Sequence, residues 1–511
     1  MAGFLLCATA ATALTAVPVP EGDPAADPRG AIRVSAQTML HNGRFDAAAS
    51  LLRSPAAGPD DASARFFLAL VEYWRVLYDP DSPARREHLR EALEATIARA
   101  DGEIAANPRN AAAQLWQGSA HLLLAQLRAS ESHVLSAAYS AKRARAALER
   151  ARADPAIEIE SEFGLGTYQY FADQIPSLLK GLRVLLFLPG GNRSEGLSRL
   201  ARAAEGSRYF SLEARLLLAV IYADRREGLY DAALEQAARA LRERPETLAV
   251  LHGAGRLELD LQRPESALTR LLSGLRRAEQ LGDVDPSVRA NLRYLAASAE
   301  LQRLRPDLAL PHLRPLVEDP ARVPLDLRER VERLAATCAV LAGAEGAAPF
   351  SAVLSRGTLA PEEIAKLRDA GSGLRDAWTG HDPWTADDWE RRATARPGDP
   401  TLAFAAGRAA LLEGRADSAA ANLARATAVP ERLPRPWRGA AMLYLGMAHD
   451  LRGERDAATR WYGLAAEQRG FPGKEAARFY AGRAFTRVDL SALAAHRTVS
   501  GGGTPVPSPR R

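Results

Sequence analysis

Cysteine is almost missing from this chain: among 511 residues there are two, Cys7 and Cys338. Cys7 lies in an apolar N-terminal segment that export would remove, so Cys338 would remain alone and no intramolecular disulfide framework is expected. Leu6 stands where a small residue would precede a lipid-anchored cysteine, which argues against an anchor at Cys7. Aromatic residues are also few, at 6% against 47% hydrophobic residues overall, so Ala and Leu carry the apolar content. Those two residues lose little side-chain entropy in a helix, and few β-branched residues compete for strands. The composition therefore points to an all-α chain. Beyond the N-terminal segment there is no run of about 18 uninterrupted apolar residues, the length a membrane-crossing helix needs. Lysine is scarce as well, only four of the 67 basic residues. The arginines read as scattered singly, usually near Glu or Asp, and not as the stripe expected of a nucleic-acid binder. With a net charge of +5, no nucleic-acid partner and no membrane span are expected.

What is present is self-similarity at a period near 34, the mark of a repeat architecture. One copy runs from about Pro436 to Pro472, with Leu445 and Gly446 in a first helix, Gly453 between helices, and Ala458, Tyr462 and Ala465 in a second. A copy from Leu402 to Pro430 carries Gly407, Gly414, Ala419, Leu423 and Ala426. Another, from Leu212 to Pro245, carries Gly228, Tyr230, Ala233 and Ala240, and the next follows in phase with Gly255, Ala267 and Leu271. Ala233 and Ala267 are 34 positions apart. Small residues at the Gly446 and Ala458 type of site let two helices cross closely, and Pro after the second helix ends it. No such hairpin can bury its apolar face alone, so neighbours must stack.

These residues resemble the tetratricopeptide repeat superfamily over most of residues 31 to 490, most specifically in the last two copies. The resemblance implies a helical-hairpin solenoid, a right-handed superhelix with a concave groove, and a role as scaffold or adaptor. A narrower stretch, from Phe163 to Tyr222, includes Gly164 to Tyr170, Pro176 to Lys180 and Leu188 to Arg193. It resembles a segment of uncharacterised bacterial tetratricopeptide proteins and, more distantly, the eukaryotic inclusion-body-clearance family.

The expected organisation is an export signal over 1–20, a linker over 21–30, a helical array over 31–341, an irregular connector over 342–399, a second array over 400–490 and a disordered tail over 491–511. The signal rests on MAGFLLCATAATALTA, with small-residue cleavage patterns at Ala8-Thr9-Ala10 and Ala11-Thr12-Ala13, although no basic residue precedes Arg29. Export to the periplasm or cell envelope is the expectation, with a cytoplasmic location as the alternative.

No catalytic, metal or cofactor site is expected. None of the nine histidines sits near another His or a Cys at metal-ligand spacing; His449 reads as half-buried packing. The loop Pro189 to Arg193 lacks the Lys-Ser/Thr of a phosphate loop and reads as a turn into a helix. Tyr168, Tyr170 and Phe171 read as packing between hairpins. Hairpin geometry instead points His252, Arg256, Asn291, Tyr294, Ser298, Phe404 and Arg408 into a concave groove, where they could hydrogen-bond an acidic peptide. The expected function is a non-enzymatic protein-binding scaffold holding a peptide or partner subunit in that groove. The alternative is an assembly component of an envelope complex that meets its partners through the convex face and the connector tryptophans Trp378, Trp384 and Trp389.

Overall fold

The computed structural model describes residues 27–58, 60–174, 190–378 and 385–494, and the description below is of these. The expected export signal, most of the linker, the whole Pro176–Pro189 stretch, Trp384 and residues 495–511 lie outside them. Among the described residues every regular element is helical. Twenty-four α-helices follow one another: α1 (Pro28–His41), α2 (Phe45–Leu52), α3 (Ala62–Tyr78), α4 (Pro83–Ala106), α5 (Ala111–Ser130), α6 (Val134–Ala151), α7 (Glu158–Asp173), α8 (Arg193–Gly206), α9 (Ser211–Ala223) and α10 (Tyr230–Glu243). They continue as α11 (Leu248–Asp260), α12 (Pro264–Leu281), α13 (Pro286–Gln302), α14 (Pro306–Glu318), α15 (Leu325–Ala342), α16 (Phe350–Ser355), α17 (Pro361–Trp378) and α18 (Ala386–Ala395). The last are α19 (Pro400–Leu412), α20 (Ala416–Thr427), α21 (Arg435–Leu451), α22 (Arg455–Glu467), α23 (Lys474–Gly482) and α24 (Arg487–Ala494).

Six hairpins share one internal register. Position zero is taken as Ala36, Ile221, Gly255, Ala297, Gly407 and Gly446 in the respective first helices. Twelve residues on, each has an alanine (Ala48, Ala233, Ala267, Ala309, Ala419, Ala458), and all six are 0% exposed. Sixteen on stand Leu52, Ala237, Leu271, Leu313, Leu423 and Tyr462, all buried. A Cβ on Gly255 would lie 2.8 Å from Leu271 Cγ, one on Gly407 2.5 Å from Leu423 Cγ, and one on Gly446 2.5 Å from Tyr462 Cε1. Small against large is thus the packing rule. The α9–α10 hairpin exchanges the sizes, with Ile221 at zero and Ala237 at sixteen, which keeps the summed volume.

The turn has its own requirement. Seven residues after position zero, at Gly43, Gly228, Gln262, Leu304, Gly414 and Gly453, φ lies between 57° and 78°. In five of these turns the next residue's N–H donates to the carbonyl of the residue three after position zero, at 2.8 to 2.9 Å, as for Glu454 to His449. This bond is the six-to-one closure of a Schellman motif and satisfies a carbonyl the helix end would leave open. Three residues beyond the positive-φ position, Asp46, Asp231, Glu265, Asp307, Asp417 and Asp456 place a carboxylate in the first turn of each second helix, where the dipole favours negative charge. The repeated two-helix hairpin expected from the sequence is what the chain forms.

The contacts divide into two compact units. One comprises the residues up to Gly253 with Arg277–Arg289 and Pro324–Asp326; the other comprises Ala254–Arg276, Ala290–Val323 and the residues from Leu327. This division does not follow the expected border over 342–399. That stretch is largely α16, α17 and α18, and Leu367, Ala370 and Leu374 are buried. Its Gly and Pro content suggested irregularity for a reason now visible. Pro361 opens α17, where its missing N–H costs nothing. Gly371 lets α17 approach α15, since a Cβ there would lie 2.3 Å from Leu341 O. Residues 491–494, assigned to the tail, instead complete α24, and Pro28 to Gly30 of the expected linker begin α1.

Two substitutions test this account in opposite directions. Gly446→Ala should destabilise the chain by about 1–3 kcal/mol through overpacking against Tyr462. Ser132 is exposed with φ 64° in the α5–α6 turn, so Ser132→Gly should stabilise by about 1 kcal/mol. Denaturant melts of both variants beside the parent decide the matter; equal stabilities would refute the register described here.

Candidate functional site

In the first unit, the first helices of the hairpins meet around one aromatic cluster. Phe66 and Phe67 of α3 lie 5.2 and 5.4 Å from the Trp116 ring of α5. Phe67 also meets Tyr209 at 5.4 Å, and Phe163 of α7 stacks on Phe210 at 5.1 Å. From α1, Gln37 Nε2 donates to Tyr209 O at 2.5 Å, and His41 Nε2 lies 2.8 Å from Glu213 Oε1. Phe66, Phe67, Trp116 and Phe210 are all buried. Each such ring removes a large apolar area from water.

Buried carboxylates fix this cluster. Glu160 of α7 accepts from Ser207 Oγ and Arg208 N, each at 2.7 Å, and from Tyr209 N at 3.3 Å, so it holds the loop that presents Tyr209 and Phe210. Burial raises its pKa and these donors oppose the rise. Two residues along, Glu162 meets Arg199 at 3.0 Å, Arg152 at 3.1 Å and Arg202 at 2.6 Å. Buried charge is tolerated only when paired in this way.

The second unit is closed by similar means. Every residue of α19 from Thr401 to Leu412 is buried, so this helix has no solvent face. Phe404 is 0% exposed and stacks on Tyr444 with centroids 6.2 Å apart. Arg408 is 9% exposed and pairs with Glu265, whose carboxylate also lies 3.9 Å from Arg303. Desolvation would lower the Arg408 pKa, but Glu265 and Tyr444 outweigh it and the net shift is upward. Trp437 Nε1 donates to Leu301 O at 2.9 Å, and Trp378 Nε1 to Leu304 O at 3.0 Å. Two carbonyls near the C-terminal end of α13 thereby gain donors.

The expected groove residues therefore do not form one lining. Phe404 and Arg408 are corrected to core positions: α19 is buried on all sides, and a helix of that kind belongs in an interior. His252 falls in the first unit, half-buried with its ring 5.4 Å from Tyr78. Arg256 is exposed and faces Asp260 of its own helix at 3.4 Å. Asn291 and Tyr294 are half-buried, and the Arg330 guanidinium lies 4.9 Å from the Tyr294 ring centre. Ser298 donates to Tyr294 O at 2.9 Å.

The other candidates resolve as packing. Asn192 caps α8 by accepting from Glu195 N at 3.1 Å, and Gly191 has a backbone atom 2.2 Å from where a Cβ would stand. Tyr168 and Tyr170 are buried, with Tyr170 donating to Glu227 Oε1 at 2.8 Å, while Phe171 is exposed. Trp389 is buried, and Trp378, half-buried, donates through its indole N–H to Leu304 O. His449 is half-buried, its Nδ1 2.6 Å from Glu454. Cys338 is fully buried, which pushes its thiol pKa up.

One surface escapes the reading of the sequence. On α6, Leu135, Tyr139, Lys142, Arg143, Ala146 and Arg150 are all exposed at spacings of three and four. They form one helical stripe. Among the described residues no ion pair holds any of its three cations, and only Arg143 has an aromatic neighbour, Tyr139, at 5.8 Å. The remaining arginine of the helix before Arg150, Arg145, is half-buried beside the stripe and pairs with Glu149 at 3.3 Å. This corrects the view that the cations are scattered singly. The signal was in the spacing within α6, but composition over the whole chain hid it, because most other arginines have carboxylate partners.

No protein-family model and no curated protein matches the chain. Among solved structures it is similar to the crystal structure of the P58(IPK) TPR domain, at 13% identity, covering 86% of this chain and 99% of that chain with a TM-score of 0.18. A superposition of that score leaves the packing of the hairpins to be read from this chain alone.

Two measurements follow from the second unit. Glu265→Ala strands Arg408 in the interior and should cost about 3–5 kcal/mol, whereas replacing both by apolar residues of similar volume should recover most of it. Burial, opposed by Arg270, pushes the Glu258 carboxyl up to about 7 from 4.5. A raised folded pKa contributes stability below pH 4.5 that is lost as pH rises through 7. Glu258→Gln should accordingly match the parent near pH 4.5 and exceed it above pH 7 by up to about 3 kcal/mol, measured by denaturant titration at both pH values.

Proposed function

We propose that this chain is a non-catalytic interaction scaffold that assembles protein partners on its outward second-helix faces. The observation that carries the reading is the closure of the interior: Phe404, Arg408 and the Phe66–Trp116–Phe210 cluster occupy the faces where a peptide would have to lie. The buried carboxylates Glu160 and Glu162 are likewise committed to loop and helix contacts. Second helices keep exposed side chains available to a partner, as α6 does with Leu135 and Tyr139, 58% and 60% exposed. The apolar run with small-residue cleavage patterns over residues 1–20 supports export, and with it a place of action in the cell envelope. Among the described residues no helix is long and apolar enough to cross a membrane.

The test is capture of partners from fractionated lysate of the source organism, followed by cross-link mapping, with Arg256→Glu beside the parent. Arg256 is exposed on a first helix. The expected result is a partner held equally by both, cross-linked to second helices. Loss of the partner on Arg256→Glu alone, or cross-links confined to first helices, would return the site to the inner face.

A further inference from the structure

We infer that the α6 stripe is the docking site for an acidic, amphipathic helix of a partner protein, a proposal that rests on the outward-face reading above. The stripe has two chemically distinct parts. Its first turns are apolar and open: Val134 is 48% exposed, Leu135 58% and Tyr139 60%. Its remaining turns carry Lys142, Arg143 and Arg150, all exposed and none in an ion pair among the described residues. Ala146 stands exposed between them, and its short side chain leaves room for another helix to come close. The one carboxylate of α6 itself, Glu149, pairs with Arg145 at 3.3 Å. Two other second helices, α10 and α4, are matched. Both arginines of α10, Arg239 and Arg242, pair with Glu235. All four arginines of α4 pair as well, Arg85 with Asp79, Arg86 with Asp81, Arg90 with Glu87 and Arg99 with Glu103. Three unmatched cations on one face repel one another, and a carboxylate-bearing partner relieves that repulsion.

The opposite face of α6 is fixed. Leu148 inserts between α5 and α7, where a Cβ on Gly118 would lie 2.6 Å from its Cγ and one on Gly164 2.7 Å from its Cδ1. Ala137, Ala144, Ala147 and Ala151 complete that buried side. The helix is therefore a rigid rail, about 22 Å from Leu135 to Arg150 at 1.5 Å per residue. A partner helix of about four turns matches it, with apolar side chains over Leu135 and Tyr139 and Glu or Asp at helical spacing over the cations. A lipid surface fits less well. Membrane-surface helices bury an apolar face alongside their cations, and the apolar side of α6 is already packed in the protein. Nucleic acid would use the cations but leaves Val134 and Leu135 without partners.

The experiment uses the full chain and two synthetic peptides of about four turns, with Leu and Phe in the first or in the last turn and Glu at helical spacing elsewhere. Fluorescence anisotropy should show one of them binding, and affinity should fall as salt rises. Reversing the three cations (Lys142→Glu, Arg143→Glu, Arg150→Glu) should weaken it about 50-fold, and Leu135→Ala with Tyr139→Ala about tenfold. Arg239→Glu with Arg242→Glu should leave it unchanged. Circular dichroism melts confirm that each variant folds. Failure of both peptides to bind, equal binding of a scrambled peptide, or preferential binding of phosphatidylserine vesicles or a DNA oligonucleotide overturns the proposal. The native partner separates the two readings. If the triple reversal retains it with cross-links on other second helices, the α6 site is wrong and the outward-face reading stands. If Arg256→Glu loses it, the outward-face reading itself fails.

Discussion

The close crossing of paired helices is the constraint on which the rest of this chain depends. Two helices joined by a turn of only a few residues must pass each other at nearly the same place, set by the length of the turn. At that place one partner has to be small, and alanine twelve residues after the crossing is fully buried in all six hairpins that share the register. Close crossing brings dense packing, and dense packing makes any added methylene felt. It also explains why so alanine-rich a chain has a defined interior. Ala contributes little apolar area itself, but it lets Leu52, Leu271, Leu423 and Tyr462 reach burial against backbone.

Turn geometry is tied to the same constraint. A residue with positive φ seven positions after the crossing reverses the chain, and glycine supplies it without strain in four hairpins. Gln262 and Leu304 occupy it instead, at a cost of roughly 1–2 kcal/mol each for an L-residue. Both are buried, at 1% and 4% exposed, and in the second unit their surroundings account for their presence. Gln262 Cγ stands 2.5 Å from the position of a Cβ on Gly473, and the Leu304 carbonyl accepts from Trp378. Local strain persists here because tertiary contacts over-determine it.

Helix type, the period and the small residues at the crossings were all legible in the sequence, because those signals are local. Gly446 and Tyr462, or Gly407 and Leu423, are sixteen residues apart and meet within one hairpin. What was not legible is where the second face of a first helix goes. Phe404 and Arg408 read as groove residues because hairpin geometry alone turns them inward, and only the rest of the fold decides whether inward is open or filled. The partner that fills it is remote in sequence: Glu265 is 143 residues from Arg408, and Leu301 is 136 from Trp437. The connector misleads for a related reason. Gly371 reads as a breaker, but its lack of a Cβ serves an approach to Leu341 that spacing within the segment could not reveal.

Closure of the interior changes what the exposed charges mean. An arginine on the surface of such a chain commonly has a carboxylate within its own hairpin or the next, since Glu and Asp are nearly as numerous as the basic residues, 62 against 67. Surface pairs of this kind contribute little stability, on the order of 0–1 kcal/mol each, so matching is not required for folding. It does keep the surface from attracting other molecules. A face where matching lapses at Lys142, Arg143 and Arg150 together, within about two turns of one helix, is therefore not explained by stability. On its other side α6 is anchored by Leu148 between two glycines. A rigid helix with one face locked and the other left unneutralised has the physical features of a binding surface: its geometry is set in advance, and the charge it lacks must come from outside the described chain.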